Sequence, residues 1–271
     1  MKIGIFDSGL GGLFVARTLM KELPQYNYVY LGDTQRVPYG NRSQRIIYRF
    51  LEEAVDYLFT QDCELIIVAC NTASAEALRQ IQQKYLPKHH SDRKVLGIII
   101  PTAEVALRNT KTKRIGILAT QSTVHSKAYV RELKKIRTDI AIFQQAAPLL
   151  VPLVESNTME FATSILHSYL DPILKKNIDT LILGCTHYPI LKTQIKKICG
   201  GDINVISQDK IIPAKLANYL KRHPEIEKKL SKKKRRTFLV TDLTDAMKTL
   251  SRKWFGKDIK FKVVTIESKR A

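Results

Sequence analysis

Short apolar runs rich in β-branched residues alternate with amphipathic stretches along the whole chain. The runs Lys2 to Phe6, Tyr28 to Leu31, Leu65 to Ala69, Val95 to Ile99, Arg114 to Leu118, Ile140 to Phe143, Thr180 to Leu183 and Asn204 to Ile206 predict strands. Between them lie helical patterns. Ser43 to Thr60 follows the turn Pro38-Tyr39-Gly40-Asn41, opens on Ser43 as a cap, and places Ile47, Leu51, Ala54, Tyr57 and Leu58 on one face. Alternation of this kind predicts βαβ units around parallel sheets.

The pattern contains a repeat. Ile3-Gly4-Ile5 is followed 66 residues later by Cys70, at the end of Leu65-Ile66-Ile67-Val68-Ala69, and Ile115-Gly116-Ile117 is followed 69 residues later by Cys185, at the end of Leu181-Ile182-Leu183-Gly184. Each cysteine precedes hydroxyl or amide residues (Asn71-Thr72, Thr186-His187) and then a helical pattern. That places both at the carboxyl end of a strand near a helix N-terminus, where open α/β sheets bind ligands. Two buried strands often share an apolar pattern for packing reasons alone. The matched cysteines favour two related domains facing each other across a cleft.

Length permits this, since 271 residues exceed the usual size of one core. A hydrophobic fraction of 44% with 26% charged residues is that of a folded globular protein. No apolar run approaches the roughly 18 residues of a membrane span. Cys63, Cys70, Cys185 and Cys199 form neither a C-x-x-C pair nor zinc-type spacing, and read as free thiols in a reducing cytoplasm with no metal. The formal charge of +20 is unusual, and much of it is local. Residues 221 to 236 (KRHPEIEKKLSKKKRR) carry lysine and arginine without interleaved aromatics, which fits a solvated helix end better than a base-stacking platform. Nucleic-acid binding stays a secondary hypothesis resting on that charge.

A thiol's ordinary pKa near 8.5 falls beside a helix N-terminus or a cation, so of two thiols in one cleft one can be thiolate and the other thiol near neutral pH. Approaching a substrate from opposite sides, one removes a proton and the other returns it on the other face. Backbone N–H groups at the cysteine turns can hold a carboxylate next to the reacting carbon. The loop Asp7-Ser8-Gly9-Leu10-Gly11-Gly12 permits close backbone approach, and Asp7 is placed to meet an ammonium or orient a thiol.

Other chemistries fit less well. A dinucleotide G-x-G-x-x-G from Gly9 would need glycine at Phe14, and no G-x-x-x-x-G-K-[ST] occurs. No local pattern marks a lysine as a pyridoxal phosphate carrier, so no cofactor is expected. A disulfide would need the two sulfurs in contact, although they lie 115 positions apart. A cysteine hydrolase using Cys185 with His187 leaves Cys70 unexplained. Cys63 and Cys199 have no counterpart in the repeat and read as packing residues.

Phe6-Asp7-Ser8-Gly9, Leu31-Gly32-Asp33 leading to Pro38-Tyr39-Gly40, Ala69-Cys70-Asn71-Thr72-Ala73-Ser74 and Gly184-Cys185-Thr186-His187-Tyr188-Pro189 together resemble glutamate racemases. The resemblance runs nearly end to end, through Pro152-Leu153-Val154-Glu155 and a closing strand-helix-strand from Thr237 to Ile266. It implies two pseudo-symmetric open parallel-sheet α/β domains facing across a cleft, residues 1–95 plus 211–271 and residues 96–210. It further implies cofactor-independent interconversion of L- and D-glutamate for peptidoglycan synthesis in a bacterial cytoplasm. Cys70 would handle the D-face proton and Cys185 the L-face proton, assisted by Asp7 and His187, with Glu155 a weaker third candidate. Asp7, Ser8, Tyr39, Gly40, Asn71, Thr72, Thr186 and His187 would line the substrate site.

Each has a plainer reading: turn or cap residues for Ser8, Asn71 and Thr72, a turn aromatic for Tyr39, a surface helix residue for Glu155, a structural histidine for His187. The sequence departs from many members at Ala147, where cysteine is common, and at Ala119-Thr120, where a glycine-threonine turn is usual. Aspartate racemases share the paired cysteines but typically have glutamate at the position of His187. The expected partner is L- or D-glutamate, with a homodimer left open and no membrane association.

Overall fold

The computed structural model describes residues 1–256 and 259–266; positions 257, 258 and 267–271, all seven belonging to the expected 211–271 segment, lie outside the described residues. The strands are β1 (Lys2–Asp7), β2 (Tyr28–Gly32), β3 (Cys63–Val68), β4 (Lys94–Gly97), β5 (Arg114–Ala119), β6 (Ala141–Ala146), β7 (Thr180–Gly184), β8 (Asn204–Ile206), β9 (Arg236–Val240) and β10 (Phe261–Val263). They form two sheets, β10-β9-β2-β1-β3-β4 and β6-β5-β7-β8, with every strand pair parallel. The repeat read from the sequence is a repeat of topology. The order β2-β1-β3-β4 recurs as β6-β5-β7-β8, so β1 corresponds to β5 and β3 to β7.

That order has a switch point between the first and third strands of each set, where successive connections leave in opposite directions and a crevice opens at the carboxyl ends. Cys70 follows β3 and Cys185 follows β7, so each thiol stands at the switch point of its own sheet.

Helices cover both faces of each sheet, and the strands are accordingly apolar on both sides. Side chains alternate between the two faces. Leu65, Ile67 and Ala69 pack with Ile3 and Ile5 on one face, whereas Ile66, Val68 and Cys70 face the other. In β7, Leu181, Leu183 and Cys185 share a face and Ile182 takes the opposite one. Each cysteine is thus the last step of a buried apolar row. A buried Leu or Ile is worth about 1.5–3 kcal/mol, so a one-residue slip, which would turn the thiol to the wrong face, is opposed by the whole row.

Four local expectations are corrected. β4 ends at Gly97, and Ile99, expected at the end of that strand, opens the helix Ile99–Asn109. A short apolar run is ambiguous between strand and helix, and Pro101 is tolerated in a first helical turn. β6 runs on to Ala146 through Gln144 and Gln145 because it is an edge strand, only partly buried along its length. Ser43 does occupy the cap position of the helix Gln44–Thr60, but its side chain makes no capping hydrogen bond. Tyr57, half-buried, packs against the same core as Ile47, Leu51, Ala54 and Leu58, as expected, and Glu53 joins the buried face, paired with Arg36 and Arg49. The lysine-rich segment is a helix end only at Lys221 and Arg222; beyond the short helix Pro224–Glu227 it becomes the connection into β9. There Lys229 pairs at 2.9 Å with the fully buried Glu64 and Lys232 at 2.7 Å with Glu227.

The helix Gln208–Arg222 joins the units. Ile211 packs into a core of the second sheet, while Ile212, Leu216 and Leu220 pack against β1 and the helix Leu13–Glu22. No helix among the described residues is long and apolar enough to cross a membrane.

The connection from Asn109 into β5 is held by one carboxylate. Asp179 accepts from Thr110 Oγ1, Lys111 N and Thr112 N, each at 2.6 Å. Partial burial raises its pKa, but these donors outweigh burial and bring it down to about 2. The folded value lies below the unfolded one, so the stabilisation is present above pH ~4 and lost as pH falls through about 2. Asp179→Asn should therefore lower the thermal midpoint by roughly 2–4 °C at pH 7. At pH 2 the variant and the parent should converge, as followed by circular dichroism.

Candidate active site

Asp7 closes β1 and is fully buried. Its carboxylate accepts from Gly9 N at 3.1 Å, from Gly12 N, and from Thr186 Oγ1 at 3.1 Å. The last bond crosses between the units. The glycines of this loop are required by approach: a Cβ on Gly12 would lie 2.3 Å from Asp7 Cβ, and one on Gly11 would lie 2.7 Å from Thr186 Oγ1 and 2.8 Å from His187 Nδ1. The close contact foreseen for this loop is therefore made with the opposite cysteine turn. Burial raises the Asp7 pKa, against the opposing pull of His187 and of the Gly12, Gly9 and Thr186 donors.

Cys70 caps the helix Asn71–Glu76, its Sγ accepting from Ala73 N at 3.4 Å, with Ser8 Oγ 3.5 Å away. Burial pushes the Cys70 thiol up to about 12, the Asp7 charge adds to the rise, and the Ser8 and Ala73 donors oppose it. Of the thiol and thiolate expected from sequence for the pair, Cys70 is on the thiol side, because desolvation outweighs the donors of the helix N-terminus.

Cys185 is held differently. No α-helix starts beside it: its carbonyl accepts from Tyr188 N at 3.2 Å, a short 3₁₀ turn Tyr188–Leu191 follows, and the helix begins only at Lys192. Its neighbour is His187, with Nδ1 3.8 Å from Sγ. Burial alone would lower the His187 pKa, but the Cys185 sulfur and Glu155 carboxylate outweigh it and hold the imidazole well above its ordinary value. Glu155 Oε1 is 3.1 Å from His187 Nε2, an ion-pair contact without hydrogen-bond alignment. Trp254, from the helix Asp245–Phe255, stands edge-on to the His187 ring at 6.5 Å between centroids.

One cleft of about 50 Å³ is lined by Ser8, Tyr39, Gly40, Cys70, Asn71, Thr72, Cys185, Thr186 and His187. Of the residues expected at the site, Asp7 lies behind this lining and Glu155 outside it, 34% exposed and reaching the cleft through His187. Tyr39 is fixed by donating its hydroxyl to Asp33, which Arg36 and Thr241 also hold. A larger cavity of about 310 Å³, lined by residues such as Leu78, Ile100, Lys215 and Tyr219, contains neither cysteine nor histidine. Among the described residues no group of three or more His, Cys, Asp and Glu is placed to hold a metal ion.

Sequence reasoning missed Thr120. It lines the cleft, and its Oγ1 is 2.9 Å from Thr72 Oγ1, a second hydroxyl contact across the units. The signal was present: the offset of 112 positions that matches Ile3-Gly4-Ile5 to Ile115-Gly116-Ile117 places Thr120 opposite Ser8. It equally places Ala119 opposite Asp7, so the carboxylate has no counterpart in the second unit. Tyr129 and Gln208, buried behind both cysteine turns, carried no such signal.

Two paired α/β units, each offering one thiol at its switch point to a shared cleft, define the racemase class of isomerases. The model of the Asp/Glu/Hydantoin racemase family matches residues 15–211. The glutamate racemase of Persephonella marina is 41% identical over 96% of this chain and 95% of its own length. Among solved structures, a glutamate racemase isoform from Bacillus anthracis superposes with a TM-score of 0.89 at 33% identity, covering 98% of this chain and 97% of the other. The Francisella tularensis glutamate racemase in complex with D-glutamate gives 0.87 at 30% identity and 98% of each chain. The chain belongs to the Asp/Glu/hydantoin racemase family, on its glutamate racemase side.

The raised pKa of Cys70 is directly testable. Alkylation of Cys70 by iodoacetamide should be slow at pH 8 and should keep accelerating towards pH 12. Asp7→Asn, which removes the like charge, should speed it roughly threefold or more at pH 8. Cys63, which burial also pushes up to about 12 but which lies away from Asp7, should be unaffected in the same peptide-mass measurement.

Proposed function

We propose that this protein interconverts L- and D-glutamate without a cofactor, using Cys70 and Cys185 as opposed acid and base. The observation that carries the reading is the pairing of two thiols at equivalent switch points of repeated sheets within one cleft. In the L-to-D direction the Cα proton passes to the thiolate of Cys185, and the electron pair left on carbon is delocalised into the adjacent carboxylate. Cys70 then delivers its S–H proton to the opposite face, leaving its own thiolate. One proton enters and one leaves the substrate, and only the configuration changes. The reverse direction exchanges the two roles.

The surroundings of each thiol suit these parts. Cys70 is held protonated by burial and is ready to donate. The imidazolium of His187 places a positive charge 3.8 Å from the Cys185 sulfur and is itself steadied by Glu155. A substrate ammonium entering near Asp7 would offset the like-charge repulsion between that carboxylate and a Cys70 thiolate, as the return direction requires. Ser8, Asn71, Thr72 and Thr186, with Tyr39 and Gly40, form the lining available to the carboxylates.

Glutamate is favoured over aspartate by His187 and by the names and bound D-glutamate of the relatives. We take the domains as residues 1–95 plus 211–271 and residues 96–210, with the first boundary best drawn after Gly97, where β4 ends. The product would supply D-glutamate for peptidoglycan in a bacterial cytoplasm.

In deuterated water without added cofactor, L-glutamate should lose optical rotation and gain α-deuterium, while L-aspartate should remain unchanged at equal enzyme concentration. Cys70→Ala and Cys185→Ala should each lower racemisation by about 10³-fold or more. A single mutant with near-normal racemisation would remove the two-thiol mechanism, and an inert parent enzyme would remove the racemase reading.

A further inference from the structure

Behind the two cysteine turns lies a buried polar group that the proton transfers do not use. Asn71 follows Cys70, Tyr129 projects from the helix Ala128–Ile136 of the second unit, and Gln208 opens the helix Gln208–Arg222. None is more than 2% exposed. Gln208 Nε2 is 2.8 Å from the carbonyl oxygen of Leu183, two residues before Cys185. The same nitrogen is 3.1 Å from the Tyr129 hydroxyl and 3.4 Å from Asn71 Oδ1, and the Tyr129 hydroxyl donates to Asn71 Oδ1 at 2.7 Å.

The direction of these bonds follows from donor and acceptor chemistry. A carbonyl oxygen only accepts, so Gln208 must turn its NH₂ towards Leu183. Tyr129 receives from that NH₂, and its single proton is left for Asn71. Burial keeps the Tyr129 phenol above its ordinary pKa, so the proton stays in place. Asn71 therefore faces the Tyr129 donor, with the Gln208 NH₂ beside it, and must present Oδ1 to them. Its Nδ2 is then buried without a partner on a residue that lines the cleft. An unpartnered buried amide donor is costly to a fold, and a carboxylate brought into the cleft beside Cys70 would satisfy it.

We infer that Gln208 and Tyr129 are positioning residues, which, anchored on the Leu183 carbonyl, fix the Asn71 amide so that its NH₂ rather than its oxygen meets a substrate carboxylate. The inference rests on the racemase reading of the same cleft. It also gives the strand before Cys185 and the helix after Cys70 one shared reference. The position of one thiol's turn thereby sets the hydrogen-bonding face offered beside the other.

Gln208→Glu tests the direction of the relay while keeping the side chain's shape. A carboxylate there draws the Tyr129 proton to itself, so Asn71 must turn Nδ2 to Tyr129 and present Oδ1 to the substrate. KM for both L- and D-glutamate should rise about tenfold or more, with kcat changed by less than about threefold. Tyr129→Phe should raise KM less, about threefold, because Gln208 still lies within reach of Asn71 Oδ1. A purely structural role predicts the opposite: a lower unfolding midpoint by circular dichroism with KM unchanged. Folded, active variants with parental KM in both directions, or with a loss confined to kcat, overturn the inference. If Gln208→Glu does not fold, Tyr129→Phe decides on the same criterion. A parent enzyme inert towards glutamate removes the racemase reading and this inference with it, an outcome distinct from an active parent with indifferent variants.

Discussion

A buried carboxylate needs donors on every side, and in this molecule that need is what brings the two units into register. Asp7 has no access to water, and burying an ion without compensation costs several kcal/mol. Two of its donors, Gly9 N and Gly12 N, come from its own loop, and the third, Thr186 Oγ1, comes from the turn after the other cysteine. The loop can close around the carboxylate only because positions 11 and 12 carry no Cβ. The same closure sets Gly11 against His187 and Ser8 against Cys70, so the surroundings of both thiols depend on one electrostatic requirement.

The units repeat in topology but not in electrostatics. Cys70 sits at a true helix start, yet it is buried beside a carboxylate and is pushed up to about 12. Cys185 lacks the helix start and instead has a charged imidazole at 3.8 Å, supported from outside by Glu155. Substituting Ala119 for a carboxylate at the position equivalent to Asp7 removes the like charge from the second half. A pseudo-symmetric frame thus sets one thiol beside a buried carboxylate and the other beside an imidazolium.

Much of this was legible in the chain. The strands were readable because parallel strands buried on both faces are continuous apolar runs, and the cysteines were readable because their spacing follows the repeat. The readings failed where the local signal was ambiguous or where the controlling interaction was distant. Ile98 to Ile100 can serve as strand or helix, and Pro101 with the packing of Ala103 and Leu107 decides for helix. Gln144 and Gln145 show no strand pattern because an edge strand does not require one. The Cys70 pKa followed from burial that only the assembled fold creates. Gln208 was invisible for the same reason, since a glutamine at a helix start acquires meaning only when Leu183 and Tyr129 arrive beside it.

The helix Asp245–Phe255 returns from the end of the chain to place Trp254 edge-on to His187. It is the single tryptophan of the protein. The indole emission of the whole molecule therefore originates beside the imidazole next to Cys185. The fold thus carries an intrinsic fluorophore on the Cys185 side of the cleft, one that needs no added probe.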